Sequence, residues 1–251
     1  MLVLPWHMTD PLPQGLNLTL PSDARVLDAS LGTSGEVWLD LARLYSSVAR
    51  AVAESSEPVV VLSGDCMTPL AVLAGLQQTG AHAALVWFDA HGDFHTERTT
   101  TSGYLGGMPL AKAVGRGDMA LPTALGLVPL SEDDVLLVDA RDLDPAEVDA
   151  LGASRVRRAA LGDVADALPN GPVHVHVDLD VLDPRLLPGL RFPASNGADH
   201  GAVSAALRKI VRLRQVAAVS IAATWLPEDS QRAQNDAGLA AVIGALDGAA
   251  T

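Results

Sequence analysis

A single cysteine, Cys66, excludes an internal disulfide and fits a reducing compartment. Lysine is almost absent: Lys112 and Lys209 are the only two, and the formal net charge is -13. A chain so poor in cations is no partner for nucleic acid or for an anionic membrane surface. No apolar run approaches the ~20 residues of a membrane span. Met1 to His7 lack the basic start and long apolar stretch of a secretory leader. These absences predict a cytoplasmic protein whose partner is a small molecule, cationic or neutral. What is abundant is apolar: 49% of the residues are hydrophobic and the mean hydropathy is +0.24. In 251 residues that builds a sizeable core, expected as one α/β domain over 1–251 with no internal repeat, linker or low-complexity stretch.

Buried strands read as short apolar runs bounded by turn residues. Leu2 to Leu4, Pro58 to Leu62, Ala84 to Asp89, Asp134 to Val138, Ser154 to Arg157, Val173 to Asp180 and Val216 to Ala222 have that form. Helical spacing falls between them, over Glu36 to Ala53, Thr68 to Gln78, Pro145 to Leu151, Leu161 to Leu168, Gly201 to Leu213 and Ser230 to Leu246. From Gly92 to Met108 the composition predicts a long irregular loop, with Thr99-Thr100-Thr101-Ser102-Gly103 and Gly106-Gly107 inside it. Strands alternating with helices predict a three-layer α/β/α domain with a mainly parallel sheet. Ligands in such folds bind at the carboxyl ends of the strands.

Two strings carry the chemistry: Asp89-Ala90-His91-Gly92-Asp93 and His176-Val177-Asp178-Leu179-Asp180-Val181-Leu182-Asp183-Pro184. Each follows an apolar, β-branched run. Residues two apart on a strand point the same way, which predicts that Asp89 projects with His91, and Asp178 with Asp180. Acidic groups crowded at one sheet edge repel one another unless a cation neutralises them, so the pattern points to a divalent metal and to a metal-dependent enzyme. His176 shares the strand face of Asp178, as a hydrogen-bond partner that orients a carboxylate or as a general base, while His174 lies further down and reads as structural. Asp183, before Pro184, reads as a turn former.

With the loop string Thr99 to Pro109, these motifs resemble the arginase/agmatinase (ureohydrolase) family over about Val59 to Pro227. The resemblance implies an arginase/deacetylase-like fold with two manganese ions bridged by a hydroxide that attacks a guanidinium carbon and releases urea. It implies that Asp89 and Asp178 bridge the ions, that His91 and Asp180 complete one site, and that Asp93 serves the other. It also implies a homo-oligomer. Carboxylate and imidazole donors suit Mn2+.

Several positions depart from the family pattern. Cys66, in Ser63-Gly64-Asp65-Cys66, stands where a metal-binding His is usual; a ligand, a vacated position and a nucleophile compete as its role. A thiolate favours Zn2+, so a single ion, Mn2+ or Zn2+, is an alternative to two. Gly106 stands where many arginases have a proton-shuttle histidine, and Thr224 stands where the substrate-binding Glu falls. Cys66 and Tyr104-Leu105-Gly106-Gly107-Met108 together resemble a divergent branch that includes an N-hydroxyarginine hydrolase.

The expected activity is hydrolysis of a C–N bond in a guanidino, hydroxyguanidino or amidino compound, with Asp93 and His176 as catalytic groups. His95, Glu97, Tyr104, Thr224 and Trp225 are expected to contact substrate. A solvated loop competes for His95 and Glu97, packing for Tyr104, and core packing for Trp225. Two alternatives stand: a mononuclear amide or ester hydrolase or acyl transferase, as in deacetylases of the same fold, and a non-catalytic ligand-binding relative.

Overall fold

A computed structural model describes residues 1–12, 15–226 and 228–246. Pro227, at the end of the expected family match, lies outside them. In chain order the elements are β1 (Leu2–Leu4), β2 (Trp6–His7), β3 (Asp10–Pro11), β4 (Arg25–Val26), α1 (Val37–Ala53), β5 (Val59–Ser63), α2 (Thr68–Gln78) and β6 (Ala84–Asp89). Then come α3 (Pro109–Ala113), α4 (Ala120–Leu125), β7 (Val135–Asp139), α5 (Pro145–Gly152), β8 (Arg157–Ala159) and α6 (Val164–Ala167). The chain continues through β9 (Val173–Asp178), α7 (His200–Leu213), β10 (Val216–Ala222) and α8 (Arg232–Leu246).

Eight strands form one sheet in the order β4-β1-β5-β10-β9-β6-β7-β8. Every pairing in it is parallel. Parallel strands are buried on both faces, which explains their near-continuous Val and Leu runs. The pleat sorts them into two cores. Leu85 and Trp87 of β6 pack with Leu41, Tyr45 and Val48 of α1 and Leu70 of α2. Val86 and Phe88 pack on the opposite face with Val203 and Leu207 of α7 and Val242 of α8. Helices therefore cover both faces, as the alternation predicts. On β9, Val173, Val175 and Val177 face the second core, which turns His174, His176 and Asp178 to the face of Trp87.

Some elements differ from the sequence expectation. The strand expected over Ser154 to Arg157 starts at Arg157, because Ser154 still donates to the Leu151 carbonyl at the end of α5 and the Arg155 amide donates to Glu132. β9 ends at Asp178, and Leu179–Val181 form a 3-10 turn. β6 likewise ends at Asp89. Both acidic motifs thus lie where a strand becomes a turn, at the carboxyl edge of the sheet. Among the described residues, no helix is long and apolar enough to cross a membrane.

Candidate functional site

The two motifs close with the same local device. Asp89 Oδ1 accepts the His91 amide at 2.7 Å, and Asp178 Oδ1 accepts the Asp180 amide at 2.8 Å. Each aspartate therefore caps its own turn and swings the residue two positions on back toward itself. Convergence comes from these turns rather than from the strand period, which corrects the geometric basis of the sequence reading while leaving the residues in place.

His91 Nδ1 donates to Asp180 Oδ2 at 2.9 Å and lies 3.4 Å from Asp89 Oδ1. Asp180 Oδ1 also accepts the Ala90 amide, and Asp89 Oδ2 accepts the Trp87 indole N–H at 3.0 Å. Asp178 uses its second oxygen to accept from Cys66 Sγ at 2.9 Å, while the Thr224 hydroxyl donates to its Oδ1 at 2.8 Å. Asp93 adopts the left-handed φ of 48°, which is uncommon for a residue with a side chain. Its buried Oδ2 has no hydrogen-bond partner among the described residues.

The electrostatics follow from burial. Desolvation pushes the Asp93 and Asp178 carboxyls well above the usual carboxylate range, and the charges of Asp89 on the first and Asp180 on the second add to it. Burial and the Asp89 charge raise Asp180 to about 6. Burial opposes a charge on His91, yet hydrogen bonds and charge from Asp180 and Asp89 outweigh it and raise the imidazole to about 12. Burial, then the charges of Asp178, Asp93 and Asp89, push the Cys66 thiol up, so it is no ready nucleophile. A field that holds a proton so firmly on His91 is a field for a cation. The unpartnered Asp93 oxygen beside an oxygen-rich donor set fits a hard divalent ion such as Mn2+. Asp89, His91 and Asp180 offer donor atoms that all lie within 4.8 Å of one another.

Above this cluster opens a cavity of about 220 Å³. That is below the ~300–1,000 Å³ common for drug-sized ligands and suits a small polar molecule. Its floor is Cys66, Asp89, Asp93, Asp178 and Asp180. The rest of the lining comes from the loop after β6, with His95, Thr100, Ser102 and Tyr104, and from the adjoining segment after β7, with Asp142, Asp144 and Glu147.

The Arginase family model matches residues 18–243. The chain belongs to the arginase family. The match begins well before the Val59 that the motifs marked. The N(omega)-hydroxy-L-arginine amidinohydrolase of Streptomyces lavendulae is 32% identical over 70% of this chain and 63% of its own length. The arginase of Bacillus subtilis (strain 168) is also 32% identical, over 63% of this chain and 58% of its own. The chain thus spans about three-fifths of the curated relatives it matches. The arginase structure from Bacillus caldovelox superposes with a TM-score of 0.78 at 25% identity, covering 90% of this chain and 85% of that one.

Within this arginase-family site, not every expected residue meets the cavity. Glu97 lies outside it, accepting from the buried Lys112 ammonium and from the Asp118 amide. Trp225 is 1% exposed and packs in the second core, its indole N–H donating to the Leu16 carbonyl. Both expected substrate contacts are therefore structural in position. His176 is fully buried behind the floor, 4.1 Å from the Trp87 ring, and its Nδ1 meets Ser220 Oγ at 2.9 Å. Thr224 does line the cavity, but its hydroxyl is committed to Asp178.

Tyr104 has a place the sequence did not reveal. A Cβ at Gly106 would sit 2.4–2.6 Å from the Tyr104 ring and hydroxyl. The phenol thus fills the space a side chain at 106 would need, with its Oη 3.3 Å from His7 Nε2. His95 Nε2 lies 3.0 Å from Asp144 Oδ2 and 3.9 Å from Glu147 Oε2. Asp144 and Glu147 were missed as site residues. Their spacing, Asp-Pro-Ala-Glu at a helix start, signals only a capping box, and indeed Glu147 accepts the Asp144 amide. Phe192, 4.6 Å from Tyr104 at the rim, carries no local signal at all.

Proposed function

We propose that this protein is a metal-dependent hydrolase that cleaves a C–N bond of a hydroxyguanidino or guanidino compound. The observation that carries the reading is the buried carboxylate cluster, with its unpartnered Asp93 oxygen, at the floor of a small cavity in an arginase-family fold. Asp89, His91, Asp178 and Asp180 would hold Mn2+, with Asp93 beside it. An ion bound there lowers the pKa of a water and supplies the nucleophile at neutral pH.

The chain's own residues supply the rest. Asp93, its carboxyl pushed up by burial and by the charge of Asp89, takes the proton of the attacking water and returns it to the leaving nitrogen. His176 does not reach the cavity, so proton donation does not fall to it. Asp142, Asp144 and Glu147 form an acidic wall that suits a cationic amino end of the substrate. No carboxylate is free at Thr224 to pair with a guanidinium, which favours the less basic hydroxyguanidine. The similarity to the Streptomyces lavendulae amidinohydrolase supports the same choice. An assembly of like chains, which the family relationship suggests, would be read by light scattering.

A panel of guanidino and N-hydroxyguanidino compounds tests the reading. The expected result is urea or hydroxyurea release, faster from the N-hydroxy compounds, that depends on added Mn2+ and is lost on chelation. Cleavage of amides or esters with no release from either guanidine class would favour the second reading, a mononuclear amide hydrolase, which the missing carboxylate at Thr224 also suits.

A further inference from the structure

At and behind the cavity floor is a second group of donors, of which the activity above uses only Asp89. Cys66 Sγ, an Asp89 carboxylate oxygen and a His176 ring nitrogen all lie within 4.8 Å of one another, and all three residues are buried. His176 is 0% exposed, and its Nε2 has no hydrogen-bond partner among the described residues. Leaving a buried ring nitrogen unpaired is costly, so its position calls for an occupant.

The surroundings of the ring say what kind. Ser220 Oγ stands between two imidazoles, 2.9 Å from His176 Nδ1 and 2.8 Å from His174 Nε2. The hydroxyl has one proton to give. If His176 Nδ1–H donates to Ser220 and Ser220 donates to His174 Nε2, then His176 Nε2 is a bare lone pair. Fixing one ring nitrogen by a hydrogen bond while the other faces a ligand site is how metal-binding histidines are commonly held. The strand register does the aiming: His176 on β9 lies opposite Trp87 of β6 and Ser220 of β10, two residues before Asp178.

We propose that Cys66, His176 and Asp89 form a thiolate–imidazole–carboxylate site for a thiophilic divalent ion, Zn2+ in preference to Mn2+. Asp89 belongs to both donor groups, so it links this ion to the one held with His91 and Asp180. The imidazole missing at position 66 is then supplied from the neighbouring strand, and the mixed centre carries one soft and one hard ion. On binding, the Cys66 thiol gives its proton to bulk water. The inference deepens the hydrolase reading by naming donors for a second ion, and its test separates the two.

The test uses the full chain, stripped of metal and titrated with Co2+, then loaded with Zn2+ for X-ray absorption. A sulfur-to-cobalt charge-transfer band is expected, and zinc should show one sulfur scatterer near 2.3 Å with imidazole in the same shell. Cys66→Ser should abolish the band. His176→Gln should retain it with Co2+ affinity weakened about tenfold or more, while Asp180→Asn should leave the band and remove hydrolysis. Circular dichroism of each stripped variant checks that it folds, and the zinc spectrum of the wild-type protein needs no variant. An all-oxygen/nitrogen zinc shell, or unchanged Co2+ affinity in a folded His176→Gln protein, overturns the proposal even if urea is released. A sulfur signal without any C–N hydrolysis upholds it and overturns the hydrolase reading instead.

Discussion

On one side of the acidic cluster, Asp89, His91 and Asp180 hydrogen-bond one another and the backbone of the turn after β6, and each matches the family pattern. On the other side, toward β5 and β10, three positions hold residues the motif does not lead one to expect: Cys66, Gly106 and Thr224. Each of these positions, or its neighbour, makes a specific side-chain contact. Tyr104 fills the space above Gly106, Thr224 donates to Asp178, and His176 stands behind Cys66. His176, with its unpartnered ring nitrogen, lies on this side, beside Cys66. The contrast teaches that the half matching the motifs is fixed by backbone turns, whereas the other half is held by contacts between side chains.

The largest effect should come from breaking the first half. Asp180→Asn removes the partner of His91 and one donor from the tight group. Loss of several kcal/mol of charge stabilisation from an ion corresponds to about a thousandfold or more in rate. Turnover on the best N-hydroxyguanidino substrate measures it, and a loss under tenfold would place the ion elsewhere.

Next comes metal removal. An ion present at about 100 times its Kd contributes about 2.7 kcal/mol, and a chain of this size shifts about 2–4 °C per kcal/mol. Chelation should therefore lower Tm by about 5–10 °C. The pH dependence sharpens this. His174 and His176, lowered to about 3 chiefly by burial, favour the native state increasingly as pH rises to their ordinary value of 6.5. The raised Asp180 opposes them over the window from 3.8 to about 6. Above about pH 6.5 the histidine gain is complete. His91, raised to about 12, keeps its proton in the folded state while the unfolded imidazole gives its proton up above 6.5, so its contribution to stability falls as pH climbs from 6.5 towards 12, and the raised Asp93 and Asp178 act in the same direction. Metal-free protein should thus lose Tm from about pH 7 to about pH 9, and metal-loaded protein much less, because an ion takes over the role of those protons. Parallel melting curves in the two states would expose the cluster as structurally neutral.

Much of this was legible in the sequence because long apolar runs bounded by Gly, Pro and Asp leave little choice. The bounds of α2, β6 and β10 coincide with those expected from Thr68 to Gln78, Ala84 to Asp89 and Val216 to Ala222. The five- and six-residue helices α3 and α4 are too short to show a period, and the two-residue strands β2 and β3 have no pattern to read. Asp89, His91, Asp93, Asp178 and Asp180, which line one cavity, could be grouped from the sequence because each motif is local. What could not be read was set by partners distant in sequence. Glu97 is claimed by Lys112, Trp225 by Leu16, 209 residues away, and the acidic wall arrives from the segment after β7.

The second half can be broken by its own coupling. Gly106→His places a Cβ against the Tyr104 ring and should lower kcat/KM about tenfold, at a packing cost of about 1–3 kcal/mol. Adding Tyr104→Asn frees that space. The pair should recover most of the loss, giving a coupling of about 1 kcal/mol or more in a double-mutant cycle read in Tm and kcat/KM. Additive losses would mean that Tyr104 merely packs beside Gly106.

The smallest effect on turnover should come from Glu97, which tests whether the loop after β6 is one functional unit. Lys112 is fully buried, with its ammonium 3.9 Å from the Trp38 ring centroid and also donating to the Asp118 carbonyl. Glu97→Gln leaves that charge without a carboxylate. Breaking a fully buried pair costs about 3–5 kcal/mol. Glu97 is a third exposed, at 33%, and glutamine still accepts a hydrogen bond, so about 1–2 kcal/mol of stability is the expected loss. Tm should fall by about 3–6 °C, while kcat/KM stays within about twofold of wild type. A tenfold rise in KM without a change in Tm would return Glu97 to the substrate site and erase the boundary between cavity wall and loop support.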